Sequence, residues 1–418
     1  MEWILMRNFI EQMRKNGRVT DIEEPVSSVY DAPKRSAGTE QLLFFHNIGG
    51  KRAVMNVTAS REALSLALGV PCSELVPRLA SCRYDGKVTE DGTITCQPPD
   101  LDQIPIMKHY PLDAGRYVCA GVVFSRYNGV ENASVHRMLQ KGKDQLVARL
   151  VEGRHTHTML KQALADGTEL PVAIAIGLHP LVMFASCSRV PVGMELPFAA
   201  ELLGGEISVK TLSNGVRVPD AEIILEGFIG GATAQEGPFV DITGTYDPER
   251  VQPVIRITGM YIKPDPIYHG ILPGGDEHKL LMGAPYEPLI YKAVAGVTGV
   301  RDVVLTKGGC GYLHGVVQIK KRTDGDGKNA ILAAFAAHTS LKHVVVVDED
   351  INPSDPLDVE YAIATRVRAD TDTIIISGIR GSSLDPTRIG DGMNVKMGID
   401  ATMEMGREDE FIRAVWED

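Results

Sequence analysis

The 418-residue chain lacks a basic surplus: 43 lysines and arginines face 54 aspartates and glutamates, giving a formal net charge of −11. Holding nucleic acid or anionic lipid by charge needs the opposite balance, so neither is expected as a partner. Cysteine is sparse and unpatterned. The six residues, Cys72, Cys82, Cys96, Cys119, Cys187 and Cys310, show no CxxC or Cys/His spacing, which excludes a zinc-finger or disulfide framework and leaves them as small apolar side chains. Cys310 alone has a glycine-rich setting, which reads as a loop. No apolar run reaches membrane-spanning length. The amino-terminal residues 1–18 are broken by Arg7, Arg14, Lys15 and Arg18, and no small-residue cleavage site follows. Internal repeats and low-complexity tracts are missing as well. What remains is a cytoplasmic globular chain with an ordinary apolar fraction of 44%, whose expected partners are small molecules and further subunits.

The length implies two or three domains. Residues 1–112 mix helical and strand patterns, with strands at 41–46 and 52–57 and a helix at 61–68, and read as an α/β lobe. Prolines 98, 99, 105 and 111, interleaved with Asp100, Asp102 and Asp113, mark a boundary. Residues 113–300 are strand-rich. Runs at 117–126, 171–177, 207–212, 222–229 and 254–262 surround one helix within 145–166, which suggests an antiparallel barrel or sandwich. In residues 301–418, β-branched runs at 303–305, 314–319, 343–347 and 373–376 alternate with helical stretches at 329–338 and 357–364, the pattern of a second α/β lobe.

Three segments carry groups suited to chemistry. In the first, Gln235-Glu236-Gly237-Pro238-Phe239-Val240-Asp241, the Gly-Pro pair forces a turn that can bring two carboxylates together. The second runs from Glu131 to Met138, where Asn132 offers an amide oxygen to a hard cation and Arg137 a planar fork for a carboxylate or phosphate. In the third, Gly153-Arg154-His155-Thr156-His157 supplies cationic and imidazole groups, and two histidines two positions apart are a poor same-face pair for one metal. Glu195 stands ahead of Pro197 at a helix start, free to face a cation. Taken singly these are ordinary polar turns and helix ends. Asn132, His155 and Glu195 together give a mixed oxygen and nitrogen set suited to Mn²⁺ or Mg²⁺ with room for phosphate oxygens.

The order and spacing of these segments resemble the UbiD family of reversible carboxy-lyases, which use prenylated FMN. Asn132 and Arg137 match an Asn-x-x-x-x-Arg element. Glu195, Phe198 and Ala199 match a Glu-x-x-Phe-Ala helix start, and Glu236, Gly237, Pro238, Phe239, Asp241, Thr243 and Gly244 match a Glu-Gly-Pro-Phe-x-Asp-x-Thr-Gly element. Looser matches at 218–227, 347–351, 362–366 and 398–402 extend the resemblance over almost the whole chain. Two departures stand out: His136 occupies a tyrosine position, and Glu201 with Gly204 alters a Gly-Leu-Leu-Arg-Gly run.

The resemblance implies an α+β multidomain fold. Its parts are an N-terminal α/β lobe, a central flavin-reductase-like split β-barrel that binds the cofactor, and a C-terminal α/β lobe used in homo-oligomer contacts. It further implies that Arg137, Glu236 and Asp241 are catalytic, Asp241 as the proton donor from a poorly hydrated pocket beside Glu236. Asn132, Val135, His136, Arg137, Arg154, His155, Glu195 and Lys396 would contact the cofactor. Asn132, His155 and Glu195 would hold Mn²⁺ or Mg²⁺ at its phosphate, with K⁺ or Na⁺ beside Ala185 and Ser186. A separate flavin prenyltransferase would supply the cofactor. The ending after Ala401-Thr402 resembles the family's archaeal branch, which implies trans-anhydromevalonate 5-phosphate as substrate and Lys279, Lys307 or Arg380 as candidates for its phosphate. An aromatic or polyprenyl hydroxybenzoate is the alternative substrate. A flavin reductase or a non-catalytic assembly subunit is the alternative class.

Overall fold

The computed structural model describes residues 5–390 and 392–414, so the first four residues of the 1–18 segment lie outside it. The chain divides into two compact units. One comprises the chain through Cys72 and then Cys82–Leu281, the other Ser73–Ser81 and the chain from Met282 onward.

The first unit is organised by an eight-stranded antiparallel sheet. In spatial order its strands are Tyr117–Val118, Met138–Gln140, Gln145–Ala148, Arg250–Ile262, Ile223–Glu236, Leu170–Ile176, Val122–Tyr127 and Val130–Val135. The two long central strands pair from Ile223↔Ile262 to Glu236↔Arg250, with two register shifts that curl the sheet. Alternation along Leu170–Ile176 is lost because this strand is buried on both faces. One face packs on the main core, in which Val123, Ile174, Leu225 and Ile255 meet Phe45, Met55 and Met107. The amino-terminal lobe forms a four-stranded sheet whose outer member, Ile267–Gly270, comes from far along the chain and pairs parallel with Arg52–Met55.

Sequence periodicity misassigns part of this unit. The helix expected within 145–166 is His155–Ala165, and the start of that stretch is instead a strand, Gln145–Ala148. Leu146 and Val147 pair across both neighbouring strands, and Gly153, with φ 75°, takes the left-handed conformation that separates the two elements. The expected strand 117–126 is likewise two, Tyr117–Val118 and Val122–Tyr127. Helix Glu195–Leu202 begins at the expected helix start, and helix Pro180–Cys187 is an addition to the expected elements.

The second unit carries a five-stranded mixed sheet in the order Gly299–Leu305, His314–Lys320, His343–Val347, Met393–Ala401 and Thr373–Arg380. Its inner pairings are parallel and its outer ones antiparallel. Helices Glu287–Ala295 and Asp326–Ala337 pack on the sheet, joined by the short helix Leu75–Ser81, whose Val76 is part of the same core. This is the covered α/β arrangement expected from the alternating pattern. Among the described residues no single helix is long and apolar enough to cross a membrane.

Candidate active site

Strand Ile223–Glu236 ends at a carboxylate with no exposed surface. The chain turns at Gly237, where φ is 93° and a Cβ would meet the Pro248 carbonyl at 3.0 Å, so only glycine fits. Phe239–Val240 then pairs with Tyr246–Asp247 as a short hairpin. Arg137, in the link between strands Val130–Val135 and Met138–Gln140, reaches this hairpin. Its Nε and Nη2 donate to Glu236 Oε1 and Oε2 at 2.9 and 3.0 Å, a bidentate pair. Nη2 also donates to Asp247 Oδ2 at 2.7 Å, and Nη1 to Asp241 Oδ2 at 3.4 Å. The guanidinium lies 4.7 Å from the Phe239 ring centroid, over an apolar floor of Tyr117, Leu139, Val147 and Phe239. Burial works to lower the Arg137 pKa, but Glu236 and Asp247 outweigh it and hold the group firmly charged.

Arg137, Glu236 and Asp241 are therefore brought together as expected, with one correction. Glu236 is sealed, whereas the Asp241 side chain retains 18% of its exposure and so is not enclosed beside it. The hairpin's return strand points its acid, Asp247, at the same cation, and the turn expected at Gly237-Pro238 gave no sign of that strand. Arg250 also pairs with Asp247. Arg149 follows Gln145–Ala148; its amide donates to the Arg137 carbonyl at 3.1 Å and its guanidinium to the Leu150 carbonyl at 3.0 Å, and it has no ion pair among the described residues. Burial lowers its pKa, and Arg250 and Arg137 add to that. His278 is a further group that sequence reasoning passed over. Its Nδ1 accepts the Gly274 amide at 3.0 Å, which leaves the proton on Nε2. Burial lowers its pKa while Asp241 opposes the shift, so the two side chains feel one another.

Five residues before Arg137, a second cluster forms. Asn132 lies within edge strand Val130–Val135, and His155 and Glu195 are the first residues of their helices. His155 Nδ1 is 3.2 Å from Asn132 Oδ1 and 3.6 Å from Glu195 Oε1. The Asn132 amide nitrogen donates to Ser134 Oγ and Thr156 Oγ1, which fixes the carbonyl oxygen toward His155. Asn132 and Glu195 line a cavity of about 10 Å³ with Glu131, Ser125 and Arg217, room for one occupant of water or ion size. Burial pushes the Glu195 pKa up to about 7, against the amides of Glu195 itself and Ala133. No lysine or arginine pairs with it among the described residues. An oxygen, a nitrogen and a buried carboxylate at the spacing of neighbouring ligands fit a divalent cation with bonds of about 2.0–2.3 Å.

His136 joins the two clusters. Its Nδ1 donates to the Arg149 carbonyl at 3.0 Å, so Nε2 accepts from Ser134 Oγ at 2.9 Å. Burial lowers its pKa to about 4, and the ring is neutral. Val135 pairs with Val122 at the strand end, and Arg154 is the exposed N-cap of helix His155–Ala165. His157 Nδ1 accepts the Gly153 amide, away from the cation cluster. Ala185 and Ser186 are buried at the end of helix Pro180–Cys187, and the Ala185 carbonyl accepts the Ser188 amide. Lys279 follows His278. Lys307, Arg380 and Lys396 belong to the second unit. There Lys396 is buried, donates to the Thr339 carbonyl at 2.8 Å, and has its pKa lowered by burial to about 8.

The chain matches three models of 3-octaprenyl-4-hydroxybenzoate carboxy-lyase in sequence order. They are the N-terminal domain over residues 10–83, the Rift-related domain over 83–276 and the C-terminal domain over 279–401. It belongs to the UbiD family of carboxy-lyases. An anhydromevalonate phosphate decarboxylase of Methanosarcina mazei is 51% identical over 415 residues, 98% of each chain, and one of Methanocaldococcus jannaschii is 48% identical over 388 residues, 89% of this chain and 91% of the other. Among solved structures, the UbiD-class enzyme HmfF of Pelotomaculum thermopropionicum in complex with FMN superposes with a TM-score of 0.93. It is 32% identical, covering 99% of this chain and 97% of that one. An evolved dimeric form of the same enzyme in complex with prenylated FMN gives 0.89 at 31% identity over the same shares.

Proposed function

We propose that this chain is a prenylated-FMN-dependent carboxy-lyase that converts trans-anhydromevalonate 5-phosphate to isopentenyl phosphate and CO₂, in the archaeal type of mevalonate pathway. The observation that carries the substrate is the near-full-length identity to decarboxylases of that name. The buried Arg137 cluster is what the chemistry asks for.

When bound, prenylated FMN supplies the electron sink for breaking the C–CO₂ bond. Asn132, His155 and Glu195 would hold Mn²⁺ or Mg²⁺ at its phosphate, with K⁺ near Ala185 and Ser186. Val135, His136, Arg154 and Arg149 complete the proposed lining. The residues of the chain then orient and protonate. Arg137, immobilised by Glu236 and Asp247, presents a fixed fork to the substrate carboxylate. Asp241, the more open acid of the cluster, gives its proton to the carbon that loses CO₂ and regains one from solvent, so each turnover consumes one proton. His278 bears on that acid from the next helix.

The proposal includes a cytoplasmic setting, a homo-oligomer, and three functional parts at 1–112, 113–300 and 301–418. It also takes the cofactor to come from a separate prenyltransferase.

The test is the chain reconstituted with prenylated FMN, Mn²⁺ and K⁺ and offered trans-anhydromevalonate 5-phosphate and 4-hydroxybenzoate in parallel, with CO₂ and product mass followed. Isopentenyl phosphate from the first supports the reading. Phenol from the second alone would move the chain to the aromatic branch, and inactivity toward both would overturn the substrate.

A further inference from the structure

Asp247 Oδ2 accepts from two guanidiniums at once. One is Nη2 of Arg137 at 2.7 Å, the other Nη1 of Arg250. The two cations therefore stand no more than two hydrogen bonds apart, and the carboxylate between them offsets their repulsion. They are not equivalent. Arg137 commits Nε and Nη2 to Glu236, Nη2 again to Asp247 and Nη1 to Asp241, and its side chain keeps 10% of its exposure. Arg250 commits Nη1 alone, to Asp247 and, at 3.4 Å, to the Pro248 carbonyl. Its Nε and Nη2 have no hydrogen-bond partner among the described residues, and its side chain keeps 32% of its exposure.

Arg250 is nonetheless held at its base. It opens strand Arg250–Ile262 directly across from Glu236, so the two side chains share one face of the sheet. The chain ahead of it is tight, since a Cβ on Gly237 would meet Glu249 Cα at 3.2 Å. A guanidinium with a fixed base and an unused Nε/Nη2 edge is a fork for two oxygens of one anion, the planar match that arginine makes with carboxylate and phosphate. The acids of the cluster, Glu236, Asp241 and Asp247, all pair with Arg137, which leaves the open edge for a ligand.

The substrate proposed above carries an anion at each end. Six bonds run from its carboxyl carbon to its phosphorus, about 7 Å when extended. With the carboxylate on Arg137, the phosphate reaches a neighbouring cation and no further.

We propose that Arg250 is a specificity-determining residue of this site: its free guanidinium edge binds the phosphate of the substrate while Arg137 takes the carboxylate. This rests on the reading of the substrate as a phosphorylated unsaturated acid.

The test uses the full chain reconstituted with prenylated FMN, as wild type, Arg250→Ala and Arg250→Gln, offered trans-anhydromevalonate 5-phosphate and the same acid without its phosphate. The wild-type preference for the phosphorylated acid, read as the ratio of the two kcat/KM values, should fall about 10–100-fold in Arg250→Ala, the weight of a lost charge-assisted hydrogen bond. The loss should sit in KM for the phosphorylated acid rather than in kcat. Unchanged preference in Arg250→Ala would overturn the proposal. So would equal loss toward both acids, the mark of a residue that only supports Asp247, and so would a wild type with no preference between them. If Arg250→Ala does not fold, Arg250→Gln, which keeps an amide donor for Asp247, must show the same loss of preference, and wild-type preference there would overturn the subsite. A wild type that releases CO₂ from neither acid removes the substrate reading and this proposal together. A wild type active on the phosphorylated acid, beside an Arg250→Ala of unimpaired preference, removes the phosphate subsite alone.

Discussion

Around Asn132, a buried carboxylate, Glu195, has an imidazole as its nearest basic neighbour. Around Arg137, one guanidinium is shared among three carboxylates and stacks on a ring. Five residues separate the two centres in sequence, yet their charge problems differ. A buried carboxylate without a paired cation either takes up a proton or recruits a cation from outside, and the upward-shifted pKa of Glu195 expresses that choice. The Arg137 cluster carries its own counter-charges, so its members fix one another without help. Polar clusters that look alike in sequence therefore divide into one that waits for an ion and one that is already assembled.

The sharpest way to break this contrast is to exchange the phenotypes. Asp241→Asn should lower kcat for CO₂ release by about 10²–10⁴-fold, the usual weight of a general acid, while Mn²⁺ affinity measured by calorimetry stays at the wild-type value. Full turnover by that variant would end the assignment of the donor. Glu195→Gln should do the reverse to the metal. Its Mn²⁺ affinity should drop by more than about 10–100-fold, since losing even an outer partner of a ligand costs that much. Wild-type affinity in this variant would show that the two clusters do not differ as described.

His136 sharpens the comparison because it spans both clusters. Its folded-state pKa, about 4, lies below the ordinary 6.5, so the unfolded chain binds the proton first. The neutral ring's contribution is whole above about pH 6.5 and is lost as pH falls toward 4, on the order of 3 kcal/mol. Urea unfolding between pH 7 and 4.5 should therefore be less steeply pH-dependent in His136→Gln than in the wild type. Equal slopes would mean that the ring is not held neutral. The smallest effect belongs to Cys310, in a loop of the second unit at φ 59°. Cys310→Ser should leave both turnover and Mn²⁺ affinity unchanged, and a loss of either would point to chemistry outside the two clusters.

The motif residues were legible in the sequence because turn chemistry and helix starts are local. Gly237-Pro238 demands a turn, and Glu195 ahead of Pro197 demands a helix start. Asp247, Arg149 and His278 were not legible. Asp247 arrives through the hairpin's return strand, Arg149 through pairing between neighbouring strands, and His278 through a helix 37 positions after Asp241 in the chain. The strand at the start of the 145–166 stretch was hidden for a related reason, since Gln145–Ala148 becomes a strand only where two partners offer it hydrogen bonds.

By itself the sequence determined the class of each segment, the family to which the chain belongs, and the separate ingredients of the two clusters, because propensity, turn geometry and motif spacing act over a few residues. Only the tertiary structure decided which acids share Arg137 and which carboxylate is left without a cation. Those outcomes depend on burial and on contacts between residues about a hundred positions apart, where desolvation and hydrogen-bond geometry, rather than local preference, set the energy.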